Sequence, residues 1–206
     1  MKKFELTSTT KIWFGKTLYQ IKALISFGDV EAGELGGYVE KEGNLSHYGN
    51  AWVYDNAYVY GDAQVYGNAQ VYGDARVCGN AWVYDNAYVY GNAQVYGDAR
   101  VYGDARVCGN AWVCGNVWVC GNAWVCGNAW VCGNADYLVV GPIGSRNSFT
   151  TLFRCNDKSV KVKCGCFYGT MDEFAAKVTA THGDNAHAKA YRAVIELAKV
   201  KFDLAK

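Results

Sequence analysis

Nine cysteines, three histidines and one polar loop are the groups of this 206-residue chain whose types and spacing could do chemistry. The loop, Gly141-Pro142-Ile143-Gly144-Ser145-Arg146-Asn147, combines backbone freedom with a hydroxyl and a guanidinium. Those are the ingredients of an anion site, which makes Ser145, Arg146 and Asn147 the candidate ligand-binding residues. The competing reading is a tight turn with a surface arginine. Cys164 and Cys166, with His182 and His187, offer four ligands of the kinds zinc takes, but one residue between the cysteines is fewer than zinc sites use. Structural cysteines and helix-end histidines are the alternative, so neither a metal nor a cofactor is expected. A Cys166–His182 nucleophile pair lacks a third, orienting group, so no residue is assigned a catalytic role. His47 stands alone inside a repetitive region.

Composition narrows the classes. A formal charge of +1 supplies no basic footprint for nucleic acid. No stretch approaches 18 consecutive apolar residues, and Met1 to Thr7 lack the apolar core of a signal peptide. No membrane association and a cytoplasmic address are therefore expected. The odd number of cysteines, with no export signal, reads as reduced thiols.

The elements that must position these groups are set by a repeat. From Ala51 to Ala135 a small residue returns every six positions, always Ala except Val117, and a Val follows two residues after each but the last. The unit is Ala-x-Val-x-Gly-Asn/Asp, with Asp55 and Asp85 in place of Gly. Alternation within the unit has the period of an extended strand, and Gly-Asn or Gly-Asp turns the chain. Strands this short bury almost nothing in an antiparallel meander. Wound as a coil of parallel strands they share a narrow interior of Ala and Val. Three units per turn make eighteen residues per coil, and pushing the phase back to Val39 yields roughly five coils. In that phase His47 and Lys41 take Val positions, so His47 is expected to face inward.

Positions eighteen apart then stack. One face carries Trp52, Gln70, Tyr88, Arg106 and Trp124, the next Tyr58, Arg76, Gln94, Trp112 and Trp130, the third Gln64, Trp82, Arg100 and Trp118. The residue after Val is mostly Tyr early and Cys at 108, 114, 120, 126 and 132. The late coils therefore form a collar of Trp112, Trp118, Trp124 and Trp130 with cysteines and little charge. Apolar surface of this extent is normally covered, so these four are the interface candidates, whether covered by another subunit or by the C-terminal segment. Stacking along the ladder is the alternative. For Cys108–Cys126 and Cys114–Cys132, a coil spacing of about 4.8 Å exceeds the usual Cβ separation of a disulfide, so packing in place of Tyr is expected.

A solenoid needs caps. Strands over 4–14 and 17–27, joined at Gly15-Lys16, read as an N-terminal hairpin, with Gly28 to Gly37 as a connection into the first coil. The chain divides into a cap (1–38), a solenoid (39–135) and a small α+β domain (136–206). In the last, strands are expected over 137–140, 148–154 and 159–164. A helix follows from the capping box at Thr170-Met171-Asp172-Glu173 to His182-Gly183, and a second runs from about Ala186 to Leu204. Its apolar side is Tyr191, Val194, Ile195, Leu197, Ala198 and Phe202.

The hexads of Val39 to Asn134 resemble the hexapeptide-repeat proteins, which implies a mainly β fold, a left-handed parallel β-helix. Tyr or Cys after Val departs from that family's pattern. Leu35-Gly36-Gly37-Tyr38-Val39, the 141–147 loop, Cys164-Gly165-Cys166-Phe167 and His182-Gly183 look like proteins carried by bacteriophages and prophages. That resemblance implies a cytosolic protein acting on a host or defence component. Three functions follow. The first is a non-enzymatic scaffold that forms a homo-oligomer and presents its C-terminal domain to a protein partner. The second binds a small phosphorylated or nucleotide ligand through residues 141–147. The third is an acyltransferase of the hexapeptide type, weakened because His47 is the sole repeat histidine and no long loop interrupts the rungs.

Overall fold

The computed structural model describes residues 2–204. Two antiparallel strands, β1 (Phe4–Trp13) and β2 (Lys16–Ala23), are joined by a turn at Phe14 and Gly15, and β2 pairs with β3 (Leu35–Val39). Fourteen two-residue strands follow at six-residue intervals, from β4 (Trp52–Val53) to β17 (Trp130–Val131). Each pairs in parallel with the strand three further on, so the rod has three faces and the chain returns to each after eighteen residues. The membership of each face is as the eighteen-residue period requires. Repeat Ala and Val side chains from Ala51 to Val131 fill the interior at 0–1% exposure, and Ala135, past the last rung, is exposed. Between the Ala and the Val of each unit, one side chain points out.

Corners follow from backbone chemistry. Turn glycines such as Gly91 have φ +71°, and a Cβ there would stand 3.1 Å from the backbone nitrogen of Gly109 on the next coil. Tyrosines after Val stack along the rod: Tyr66, Tyr84 and Tyr102 follow one another at 4.8 and 4.9 Å between ring centres, nearly parallel. Such contacts add to area burial by about 0.5–1.5 kcal/mol per pair.

The first coil departs from the strict period. Val39 pairs with Val59, twenty residues on, whereas Trp52 pairs with Gln70, eighteen on. Leu45, expected at an Ala position, bridges Val65 and takes a Val position. The two additional residues lie in the corner before Ala51, so His47 does not face the interior. Its ring stacks on Phe4 at 4.4 Å, and its Nδ1 accepts the Lys3 backbone N–H.

The backbone polarity of the rod dictates its caps. The backbone bonds between coils all run one way, from an N–H to a carbonyl of the next coil, as from Tyr58 to Ala75 and from Trp82 to Ala99. Carbonyls of the first coil and N–H groups of the last are thus orphaned, and buried orphans are costly. At the N-terminal end the partners are donors. The Lys3 ammonium reaches Ala51 O at 2.8 Å, Tyr38 N–H reaches Ala57 O, and the Asn44 amide reaches Ala63 O at 2.8 Å. Burial lowers the Lys3 pKa to about 8. Glycine at 36 and 37 lets β3 approach, since a Cβ on either would collide with first-coil carbonyls. Trp52, on a face otherwise open, is fully buried between Phe4 and Phe27.

At the other end the partners are acceptors. Asn134 Oδ1 takes the N–H of Trp118 and Thr151 Oγ1 that of Trp124, while Ala129 bridges Cys155. These groups lead into an antiparallel sheet of β18 (Tyr137–Ile143), β19 (Ser148–Arg154), β20 (Val160–Cys164) and β21 (Phe167–Thr170). β21 is absent from the sequence reading, and β18 takes in residues expected as loop. Phe153 on β19 belongs to the solenoid core, whereas Leu152 joins a second core with Val162, Phe174, Val178, Tyr191 and Ile195. That core is closed by α1 (Met171–His182) and α2 (Ala186–Lys201). Thr170 and Glu173 form the capping box of α1. Leu197 is 49% exposed and not on the buried side of α2.

Candidate functional site

Two surfaces and one thiol column carry the chemistry. The first surface is the tryptophan collar. Trp124 is covered: Lys163 of β20 lies over its ring at 4.0 Å, and Thr151 holds its backbone N–H at 3.0 Å. Trp112, Trp118 and Trp130 remain 43%, 48% and 47% exposed. Trp112 and Trp130 pack edge to face at 6.4 Å and, with Asn110, Asn128 and Asn156, line a cleft of about 300 Å³. The C-terminal domain thus shields one of the four rings and leaves three in contact with solvent.

The second surface is a cleft of about 210 Å³ where the rod meets the C-terminal sheet. Its solenoid wall is Asp104, Arg106, Asn122 and Trp124, and its other wall includes Ser148, Phe149, Thr151 and Lys163. Arg106 approaches the Trp124 ring at 5.4 Å and the Tyr88 ring at 5.7 Å. Contacts of this kind are worth about 0.5–1 kcal/mol at exposed sites, enough to orient a cation without neutralising it.

The expected ligand loop is an exposed turn. Gly144 and Asn147, both at positive φ, shape a turn between β18 and β19, closed by Asn147 N–H on Gly144 O at 3.2 Å. Ser145, Arg146 and Asn147 are exposed on it, outside the lining of the junction cleft. The Arg146 guanidinium reaches Gly165, at the cleft rim. Sequence reasoning missed Arg106 and Lys163 because one lies in a repeat and the other on a strand, fifty-seven positions apart and joined only by folding.

Cys164, Cys166, His182 and His187 are not gathered into a ligand set. Cys164 is bonded to Thr150 Oγ1 at 3.2 Å and contacts Tyr191 Oη at 3.9 Å, while Cys166 is exposed on the β20–β21 turn. His182 packs against His187 and Tyr191 with ring centres 5.8 and 5.9 Å apart. Among the described residues no group of three or more His, Cys, Asp or Glu is arranged around a metal position. His47 is occupied on both sides. Since Nδ1 accepts a backbone N–H, the ring proton sits on Nε2, which faces the Glu42 carboxylate at 3.2 Å.

The thiol column requires one correction. Cys114 and Cys132 are joined as a disulfide, with Cα atoms 4.4 Å apart. That approach is at the short end of the disulfide range, about 4.4–6.8 Å. At the corner after the last rung the two backbones draw closer than the mean strand spacing of about 4.8 Å. The seven other cysteines are unpaired. Cys108 has its pKa lowered by hydrogen bonding with Cys126, against burial, with Tyr90, Trp124 and Lys163 acting in the same sense. Cys126 is pushed up in turn, by its bond to Cys108 and by burial. The Trp124 indole N–H donates to Cys108 Sγ at 3.2 Å, which pins the ring that underlies the cleft.

A five-coil parallel rod with tiny interior residues and glycine corners defines a β-solenoid repeat protein. Consistent with that class, the family model described as YdcK Beta solenoid repeat matches residues 69–85, 93–109, 99–115 and 105–121, all within the rod. No curated protein matches the chain. No helix among the described residues is long and apolar enough to cross a membrane.

Proposed function

We propose that this protein is a non-enzymatic scaffold: a stiff spacer that self-associates through its tryptophan band and presents the C-terminal domain to a protein partner. The observation that carries the reading is the exposure of Trp112, Trp118 and Trp130, each above two-fifths, beside a ring that the C-terminal domain does cover. Aromatic rings in a sparsely charged band are the residues that dominate protein interfaces. Stacked coils bonded at every rung resist bending, which suits a spacer. The resemblance to proteins of phages and prophages makes a host or defence component the class of partner and the cytoplasm the place of action. Both histidine nitrogens of His47 are engaged within the cap, which argues against hexapeptide-type acyl transfer, where a free imidazole acts as base.

Sedimentation equilibrium tests the proposal. The full chain is expected to form an oligomer at micromolar concentration, and Trp112→Glu with Trp130→Glu to yield a folded monomer. A monomeric parent chain, or turnover of acetyl- or succinyl-CoA, would overturn it.

A further inference from the structure

We infer that the cleft between the solenoid and the C-terminal sheet binds a small hydroxylated organic phosphate, such as a phosphorylated polyol or sugar. The cleft holds a surplus of hydrogen-bond donors whose origin is traceable to the repeat. Along this corner the side chains of Asn50, Asn68 and Asn86 each donate to the next rung, the last to Asp104 Oδ1 at 3.1 Å. A carboxylate has no N–H to pass on, so the ladder stops at Asp104. Asn122, one coil further, therefore receives no donor from Asp104, and on the last coil it has no further rung to donate to, so its amide hydrogens are unpartnered among the described residues. Ser148 has no side-chain partner there either. Thr151, 1% exposed, accepts the Trp124 N–H and keeps its own proton to donate.

Two cations complete the set. Among the described residues Arg106 and Lys163 are in no ion pair, which they share with Arg76 and Arg100 on the other faces; what sets them apart is that both line one cleft. Both are held at the Trp124 ring. Arg106, Lys163, Asn122, Ser148 and Thr151 thus converge as donors from two separate parts of the chain. A phosphate monoester offers three acceptor oxygens and a charge near −2, the complement of that arrangement. Asp104 accepts only and repels a bare anion, and the Asn122 carbonyl accepts beside it, so the ligand must bring hydroxyl donors as well. The cleft of about 210 Å³ takes a small phosphate ester, and past Asp104, Arg106 and Asn122 it opens onto the groove along the Asn50–Asn86 corner.

Isothermal titration of the full chain with ribose 5-phosphate, glycerol 3-phosphate and 3-phosphoglycerate tests this, with inorganic phosphate and ribose as controls. At least one of the three phosphate esters is expected to bind about ten-fold or more tightly than inorganic phosphate, and ribose not at all. Arg106→Gln and Lys163→Gln should each weaken it by about ten-fold, the worth of one charge-assisted hydrogen bond. Arg100→Gln, at the same rung position on another face between Trp82 and Trp118, should leave affinity unchanged, and all three variants should lose no more than the few degrees of melting temperature that a ring contact of about 0.5–1 kcal/mol supplies. Absence of binding by every phosphate ester, binding no tighter than inorganic phosphate, or affinity indifferent to Arg106 and Lys163 would each overturn the inference.

Discussion

Asp55 and Asp85 stand where the other hexads place glycine, at φ +51° and +58°. An L-residue in that region costs about 1–2 kcal/mol. Each offsets the strain by accepting a bond across the coil, from Gly73 N–H at 3.0 Å and Gly103 N–H at 3.2 Å. The tyrosines show a second residue-scale effect. Burial, with a hydrogen bond to Cys78, raises the Tyr60 pKa to about 12, and a hydrogen bond to Cys120, with burial, does the same for Tyr102. A phenol with a raised folded pKa stays protonated in the fold at pH values where the unfolded chain has begun to ionise. Stability from these groups is therefore complete below pH 10 and is lost as pH rises from 10 through 12. Ultraviolet titration of tyrosinate should lag behind that of the denatured chain, and the melting temperature of Tyr60→Phe/Tyr102→Phe should fall less steeply than the parent's over that interval.

At the scale of the element, each strand is two residues long and gains its stability from stacking. Interior volume is the strictest demand, since six neighbouring Ala and Val positions close each triangular layer without room for a longer side chain. Ala93, fully buried, lies beneath Ala111 and above Ala75 on one face. Ala93→Leu should cost about 1–3 kcal/mol of overpacking, whereas Gln94→Leu, one residue along and pointing out, should change stability by less than about 0.5 kcal/mol. Urea denaturation of the two variants separates these outcomes. Facing, strand position and corner chemistry were all legible from the hexads. The phase of the first coil was not, because a two-residue longer corner leaves the spacing of small residues looking regular while shifting Leu45 and His47. Nor was β21, whose Phe-Tyr-Gly-Thr is too short to show an alternation and forms only by pairing with β20.

At the scale of the molecule, the rod is a polar object with carbonyls at one end and N–H groups at the other. Lys3, Asn44 and β3 supply donors to the first, and Asn134, Thr151 and the Cys155 bridge complement the second. Residues 39–135 alone keep Asn44 and Asn134 but lose Lys3, Tyr38, Thr151 and the Cys155 bridge, and so expose most of two mutually complementary edges. Such a contact is head-to-tail and does not close. That fragment is expected to assemble into filaments visible by electron microscopy, while deletion of 136–206 alone, which leaves the carbonyl edge covered, should not produce them. Filaments from the singly truncated chain would contradict this account of the caps.

The amino-acid sequence by itself determined the rod, because a small residue every six positions and a glycine or aspartate at each corner admit one way of burying short strands. It also determined which side chains share a face, since an eighteen-residue period leaves no other stacking. Only the tertiary structure decided what becomes of those faces. Trp124 is covered and Trp112, Trp118 and Trp130 are not, because β19 and β20 settle over one side of the last coil. The same docking brings Lys163 to Arg106, a meeting of residues fifty-seven positions apart that no local pattern encodes.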